Sequence, residues 1–196
     1  MAAGLELFGT LGYARTSIRA VCAAASLNSR YFYESFSSRE DLLYSVYQRI
    51  TGDIFARASE AVAGQTTIEA QARAGLRAGW TAVTDDRRKA RIVAIEVVGV
   101  SERLERLRRE TRHALAQLTA DRALSLAGGL RLRLDPLITT RFLIGGVVEL
   151  LADWVNGDLD APVDEMVEHF TALFAAAAYA AVADGSPARP GSDAQG

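Results

Sequence analysis

Residues Leu11–Leu43 read LGYARTSIRAVCAAASLNSRYFYESFSSREDLL. Two short helical segments, 17–24 and 29–35, are separated only by Ala25-Ser26-Leu27-Asn28. Thr16 is placed to cap the first and Asn28 the second. Helices this short do not stand alone in water. A turn of this length makes the two cross steeply and share a core. Ile18, Val21, Cys22, Leu27, Phe32 and Phe36 have the spacing for that core, joined by Leu7 and Phe8 from a preceding helix.

The outward face of the second segment carries chemistry. Asn28, Ser29, Arg30, Tyr31, Tyr33 and Glu34 surround one apolar anchor, Phe32. The hydrogen-bonding and basic side chains crowd the helix N-terminus, where a helix entering a DNA major groove presents them to base edges. Arg30 suits guanine O6/N7, Asn28 or Ser29 a base or phosphate, and Tyr31 a thymine methyl. Ser17 and Arg19, at the start of the first segment, are placed to meet the DNA backbone. Arg39, in the first turn of the next helix, is a further phosphate candidate. The same pattern suits any three-helix head with capped helices and a polar outside.

Beyond this segment the chain reads as helices almost throughout, about nine in all. Ser37 with Glu40 forms a capping box opening a long connector helix, 38–62, and Thr66 with Glu69 opens 67–84. Asp135-Pro136 and Asp160-Ala161-Pro162 are helix entries with proline in the first turn. Breaks fall at Gly64, Gly128-Gly129 and Gly157. Leu130–Leu134 alternates but is short and isolated, so a loop or helix end is expected there. The expected fold is all-α: a helix-turn-helix head over 1–46, a body over 47–184, and a disordered tail over 185–196, rich in Gly, Pro, Ala and Ser.

The 196 residues carry a net charge of −2. Residues 1–57 hold six Arg against five acids, too weak an asymmetry to establish DNA binding alone. No stretch is apolar enough for a membrane span and no signal peptide is recognisable, so a cytoplasmic protein without membrane contact is expected. One cysteine, Cys22, fits a reducing compartment. HExxH, CxxC, Walker, GxGxxG and GxSxG motifs are absent. With only His113, His169 and Cys22 to offer, the chain is not expected to be an enzyme or to hold a cofactor or metal.

The head resembles the TetR family of transcriptional regulators. The resemblance rests on Leu7-Phe8, Gly12-Tyr13, Thr16-Ser17-Ile18-Arg19, Ala23-Ala24, Leu27, Tyr33, Phe36 and Ser38-Arg39-Glu40-Asp41-Leu42, in register over about 5–47. It implies that Tyr33 and Arg39 bind phosphate and that Ser17, Arg19 and residues 28–31 face DNA. Ser26 stands where the family's turn usually carries Gly, and a left-handed conformation there costs a serine roughly 1 kcal/mol. The family usually carries several more residues, often basic, ahead of the first helix; a start placed late, a shortened chain or a missing arm would each account for Met1-Ala2-Ala3-Gly4 here, and each would weaken phosphate contacts. The function implied is a repressor released from a palindromic double-stranded operator by an unknown small molecule. A helical protein-interaction module without DNA binding, or a helical enzyme, would share the helices but would not need basic and aromatic groups on one face.

In the body, Leu104, Leu107, Thr111, Leu115 and Leu118 form a stripe along helix 101–127, and Arg103, Arg106, Arg108, Arg109 and Arg112 read as its solvated face. Helices 137–156 and 162–183 are apolar on most sides. They are expected to bury their surplus against the same pair of a second chain, through Val147, Leu150, Trp154, Phe170, Leu173, Phe174 and Ala177. A ligand pocket is implied by the family architecture, with Trp80, Glu96, Val100, Leu104, Leu107, Thr111, Phe142 and Glu149 as candidate lining. Glu96 and Glu149 suit a cationic or hydroxylated ligand, or else face solvent or pair with an arginine such as Arg141.

Overall fold

The computed structural model describes residues 1–128 and 130–187. Among them are nine helices: α1 (Ala2–Thr10), α2 (Ile18–Ala24), α3 (Ser29–Ser35), α4 (Arg39–Val62), α5 (Ile68–Thr84), α6 (Arg87–Arg91), α7 (Glu102–Ala127), α8 (Pro136–Asn156) and α9 (Val163–Ala181). The fold is all-α as expected. A π-helical turn, Ile92–Glu96, continues directly from α6.

The caps explain where the helices begin. Asn28 accepts the Tyr31 N–H, as its position suggests. Elsewhere the cap falls one residue later than expected. Ser17, not Thr16, caps α2. Ser38, not Ser37, caps α4 by accepting from Asp41 N–H, while the Asp41 carboxylate accepts the Ser37 N–H. Thr67, not Thr66, caps α5. Thr16 is fully buried, and its hydroxyl donates to the Gly12 carbonyl at 2.8 Å, so it ties the α1–α2 loop down instead. Asp135 caps α8 with Pro136 in the first turn.

Between α2 and α3 the chain turns on Ser26, whose φ is +53°. It is the non-glycine residue with positive φ among the described residues, and a Cβ there crowds the backbone. Ser26→Gly is expected to raise stability by roughly 0.5 kcal/mol, since relief of strain exceeds the extra freedom glycine has when unfolded. A urea midpoint that falls would show the strain to be absent.

Two apolar cores organise the packing. The first joins head to body: Phe8, Val21, Phe32 and Leu43 share it with Ile92 and Leu104. Leu27, expected in this core, is instead exposed, because the turn carries it outward. The second core lies in the body, where Trp80 meets Phe170 edge-on at 4.9 Å, with Leu151 and Val167 beside them. α5 packs on α4 and α9, and α7 packs on α8.

One expectation needs correction. Leu130–Leu132 is a short strand, β1, rather than a loop, and pairs antiparallel with β2 (Val182–Pro187). Pro187, within the expected tail, stands opposite Leu130 in this pairing, and 188–196 lie outside the described residues. No helix among the described residues is long and apolar enough to cross a membrane.

Candidate functional site

α3 is held by a single buried side chain, Phe32, which contacts Tyr33 and Phe36 ring to ring. Its amphipathic pattern leaves everything else outside. Asn28, Ser29, Arg30, Tyr31 and Tyr33 are all exposed, as are Ser17 and Arg19 at the start of α2. Arg30 pairs with Glu34 one turn on, at 3.2 Å, with both groups open to solvent. Such a pair is worth little and leaves the guanidinium available.

Arg39 is placed differently from a free phosphate ligand. Its guanidinium lies 4.0 Å from the centre of the Tyr13 ring and donates to the Thr16 carbonyl at 2.5 Å. It stitches the start of α4 to the α1–α2 loop.

The head meets the body along α6 and the π turn. Arg88 pairs with Glu6 of α1 and with Asp86, and Gly9 of α1 packs directly on the Arg88 backbone. Glu96 accepts the Tyr13 N–H at 2.6 Å and the Arg91 Nε–H at 2.8 Å. A second set of ties joins α7 to the start of α4. Ser101 donates to Glu40, and Arg103 pairs with Asp41 while covering the Tyr44 ring. Arg103 therefore ties this junction from the solvated face of α7.

Asp41 caps and pairs at once. The Ser37 N–H, then the Arg103 guanidinium, hold its carboxyl below the ordinary 3.8. A depressed carboxyl contributes stability above its unfolded pKa and loses it as pH falls through the folded value. Asp41→Asn keeps an acceptor for Ser37 but removes the charge. The expected cost is about 0.5–1 kcal/mol at neutral pH. The gap from the parent should close in acid below the ordinary carboxylate value, as read by urea melts across pH. A gap independent of pH would rule out the ion pair as its source.

The body holds a partly open cavity of about 610 Å³ between α4, α5, α7, α8 and α9, a size typical of small-molecule sites. Of the residues expected to line it, Trp80 and Thr111 do so. Leu104 and Leu107 are buried in the first core instead, with Val100 packed beside them. Glu96 is at the head junction, Glu149 faces outward, and Phe142 is 80% exposed. Sequence reasoning missed Tyr47, Phe55, Arg108, Arg112 and Leu143, which do line it. The recurrence of 108, 112, 115, 119 and 122 on one face of α7 was the available signal.

The residues expected at a second-chain interface divide likewise. Phe170 is 3% exposed within its own chain, and Val147, Leu150 and Trp154 pack around the same core. Phe174 and Ala177 line the cavity, and Leu173 alone of the seven is exposed. What α8 and α9 leave uncovered shares only Leu173 with that set: Ile138, Phe142, Gly145 and Gly146 on one, Leu173 and Ala176 on the other.

Residues 1–46 match the family model for bacterial regulatory proteins of the tetR family. No curated protein sequence matches the chain. Several solved structures do. The fatty acid degradation regulator FadR from Bacillus halodurans superposes with a TM-score of 0.79 at 17% identity, covering 88% of this chain and 91% of that one. The transcriptional regulator FadR from Bacillus subtilis, solved in complex with stearoyl-CoA, gives 0.78 at 18% identity, covering 88% and 94%. A TetR/AcrR-family regulator from Thermobifida fusca gives 0.66 at 22% identity, covering 88% and 92%. Residues 1–46 are thus similar to the head of tetR-family regulatory proteins, and the chain as a whole shares the fold of these solved structures.

Proposed function

We propose that the chain is a dimeric transcriptional regulator that reads a palindromic operator through α3 and releases it when a small molecule fills the body. The observation that carries this reading is the exposed cluster Asn28, Ser29, Arg30, Tyr31 and Tyr33 on a short helix anchored from behind by Phe32. In this reading Arg30 contacts base edges, Ser17, Arg19 and Tyr33 contact the DNA backbone, and Arg39 sets the angle of α4 against the head.

The uncovered face of α8 and α9 supports dimerisation. Phe142, Ile138 and Leu173 are among the most exposed large apolar residues of the chain. A two-fold pairing of these helices would bury them, and Gly145 and Gly146 permit close approach. The pair of heads would then sit roughly 34–36 Å apart, one turn of DNA. The cavity supports the ligand-responsive half of the reading, as does the fact that the similarly folded Bacillus subtilis regulator was solved in complex with stearoyl-CoA.

The test is selection of bound duplexes followed by titration of the recovered site. Arg30→Ala is expected to cost about 1–3 kcal/mol at the selected site and to relax base preference. Tyr33→Phe should weaken selected and scrambled duplexes alike, because phosphate contacts carry no sequence information. Equal losses on both duplexes for Arg30→Ala would remove it from base reading. Failure to select any inverted repeat would favour the protein-interaction alternative.

A further inference from the structure

The cavity wall is chemically uneven. Most of it is aliphatic or aromatic, as with Ile54, Leu76, Trp80, Leu143 and Phe174. Every charged residue in it is an arginine, namely Arg108, Arg112 and Arg122, and all three stand on α7. No aspartate or glutamate lines it among the described residues. Arg108 is paired with Glu105 at 2.7 Å. Arg112 is half-buried, and no carboxylate among the described residues comes within ion-pair distance of it.

A polar group from α4 joins this end. Tyr47 is buried in the wall, and its hydroxyl lies close enough to Thr111, Arg108 and Arg112 to feel each of them. Burial pushes the Tyr47 hydroxyl up, and the Thr111 hydrogen bond and the two guanidinium charges pull it back. One end of an otherwise apolar cavity thus offers hydroxyls and two guanidinium groups, of which Glu105 pairs with Arg108 and leaves Arg112 without an ion-pair partner among the described residues. Half-burying a guanidinium against apolar surface costs free energy unless an anion or water meets it. At roughly 30 Å³ for a water-sized atom, the cavity accommodates about twenty non-hydrogen atoms.

We infer that the cavity takes a lipophilic anion, a long apolar chain whose anionic end group rests on Arg112 beside Arg108, Thr111 and Tyr47. The tail lies between α5, α8 and α9. This rests on the ligand-responsive reading above and names its ligand class. Two sources share the chemistry: a free fatty acid, whose carboxylate reaches Arg112, and an acyl thioester, whose phosphates do so at the cavity opening.

The test is calorimetric titration of the full chain with palmitate, palmitoyl-CoA and 1-hexadecanol, each below its aggregation limit. Palmitate or palmitoyl-CoA is expected to bind at least about ten-fold more tightly than the alcohol, as one charged hydrogen bond provides. Added salt should narrow that gap. Arg112→Gln should remove the preference while leaving hexadecanol affinity unchanged, which also reports an intact cavity; Arg112→Lys should retain most of it. Preference for palmitate identifies the free acid, and preference for palmitoyl-CoA the thioester. Equal affinity for acid, thioester and alcohol, no effect of Arg112→Gln, or no binding of any probe overturns the inference: the α7 arginines then only extend past the wall into water.

The regulatory reading fails separately. Probes that bind as described yet leave affinity for the selected duplex unchanged overturn ligand release and leave the ligand class standing. Release by an unrelated small molecule, with no binding of these three probes, does the reverse.

Discussion

Gly9→Ala is expected to drive the head away from the body. A Cβ on Gly9 would lie 2.3 Å from Arg88 Cβ and 2.8 Å from Arg88 Cα. Neither atom is the far end of a flexible side chain, so α1 and α6 must separate. Overpacking of this kind costs about 1–3 kcal/mol, and the backbone contact puts this site at the upper end. The separation also stretches the Arg88–Glu6 pair and the Glu96–Tyr13 hydrogen bond, which lie on either side of Gly9. Operator affinity should therefore fall more than stability alone accounts for. The check is a double-mutant cycle in urea with Arg88→Gly, which removes the nearer obstacle. A favourable coupling of about 1 kcal/mol or more is expected. Strict additivity would mean that α1 and α6 do not meet at this point.

Phe32→Ala should have the other large effect. Phe32 is the one buried residue of α3 and is 5% exposed. Truncating a buried phenylalanine costs about 3–5 kcal/mol. The site lies at the outer edge of the first core, so the loss should concentrate in α2 and α3. Amide exchange is expected to quicken there while α8 and α9 keep their protection. Binding to the selected duplex should be abolished, whereas Phe32→Leu, which preserves most of the volume, should retain part of it. Undiminished operator binding by Phe32→Ala would show that α3 does not need its anchor, and the site described here would be wrong.

Much of this architecture was legible in the residues. Local signals placed the elements: short capped segments around Ala25–Asn28, Pro136 and the left-handed glycines at 64, 128 and 157. They failed by one residue where two cap-forming residues stand side by side. Thr16 and Ser17 suit the role equally by propensity; Ser17 takes it because the Thr16 hydroxyl is committed to the Gly12 carbonyl. Side-chain roles were less legible because they are set by partners far along the chain. Glu96 sits in an apolar run and reads as a pocket residue, yet its partner is Tyr13, 83 positions away. Arg39 has the position of a phosphate ligand, and the pattern does not reveal that its guanidinium also stacks on Tyr13 and bonds the Thr16 carbonyl. In α8, apolar residues on most sides conceal which side faces inward. Phe142 and Ile144 look alike in the pattern, and packing alone separates the exposed one from the buried one.

The π turn Ile92–Glu96 bears on how much sequence change the chain tolerates. Within five residues it must fill the first core with Ile92, present Val93 to the cavity and end on the carboxylate that holds Tyr13. A substitution that improves one of these fits is judged at once by the other two. Gly12 is caught in the same constraint, since any side chain there would crowd the Glu96 carboxylate as well as strain a left-handed backbone. A chain drifting toward a new ligand therefore has far more freedom along the cavity faces of α5, α7 and α9 than in these five positions. A library randomised at both sets should recover diverse residues at the former and nearly the parent sequence at the latter.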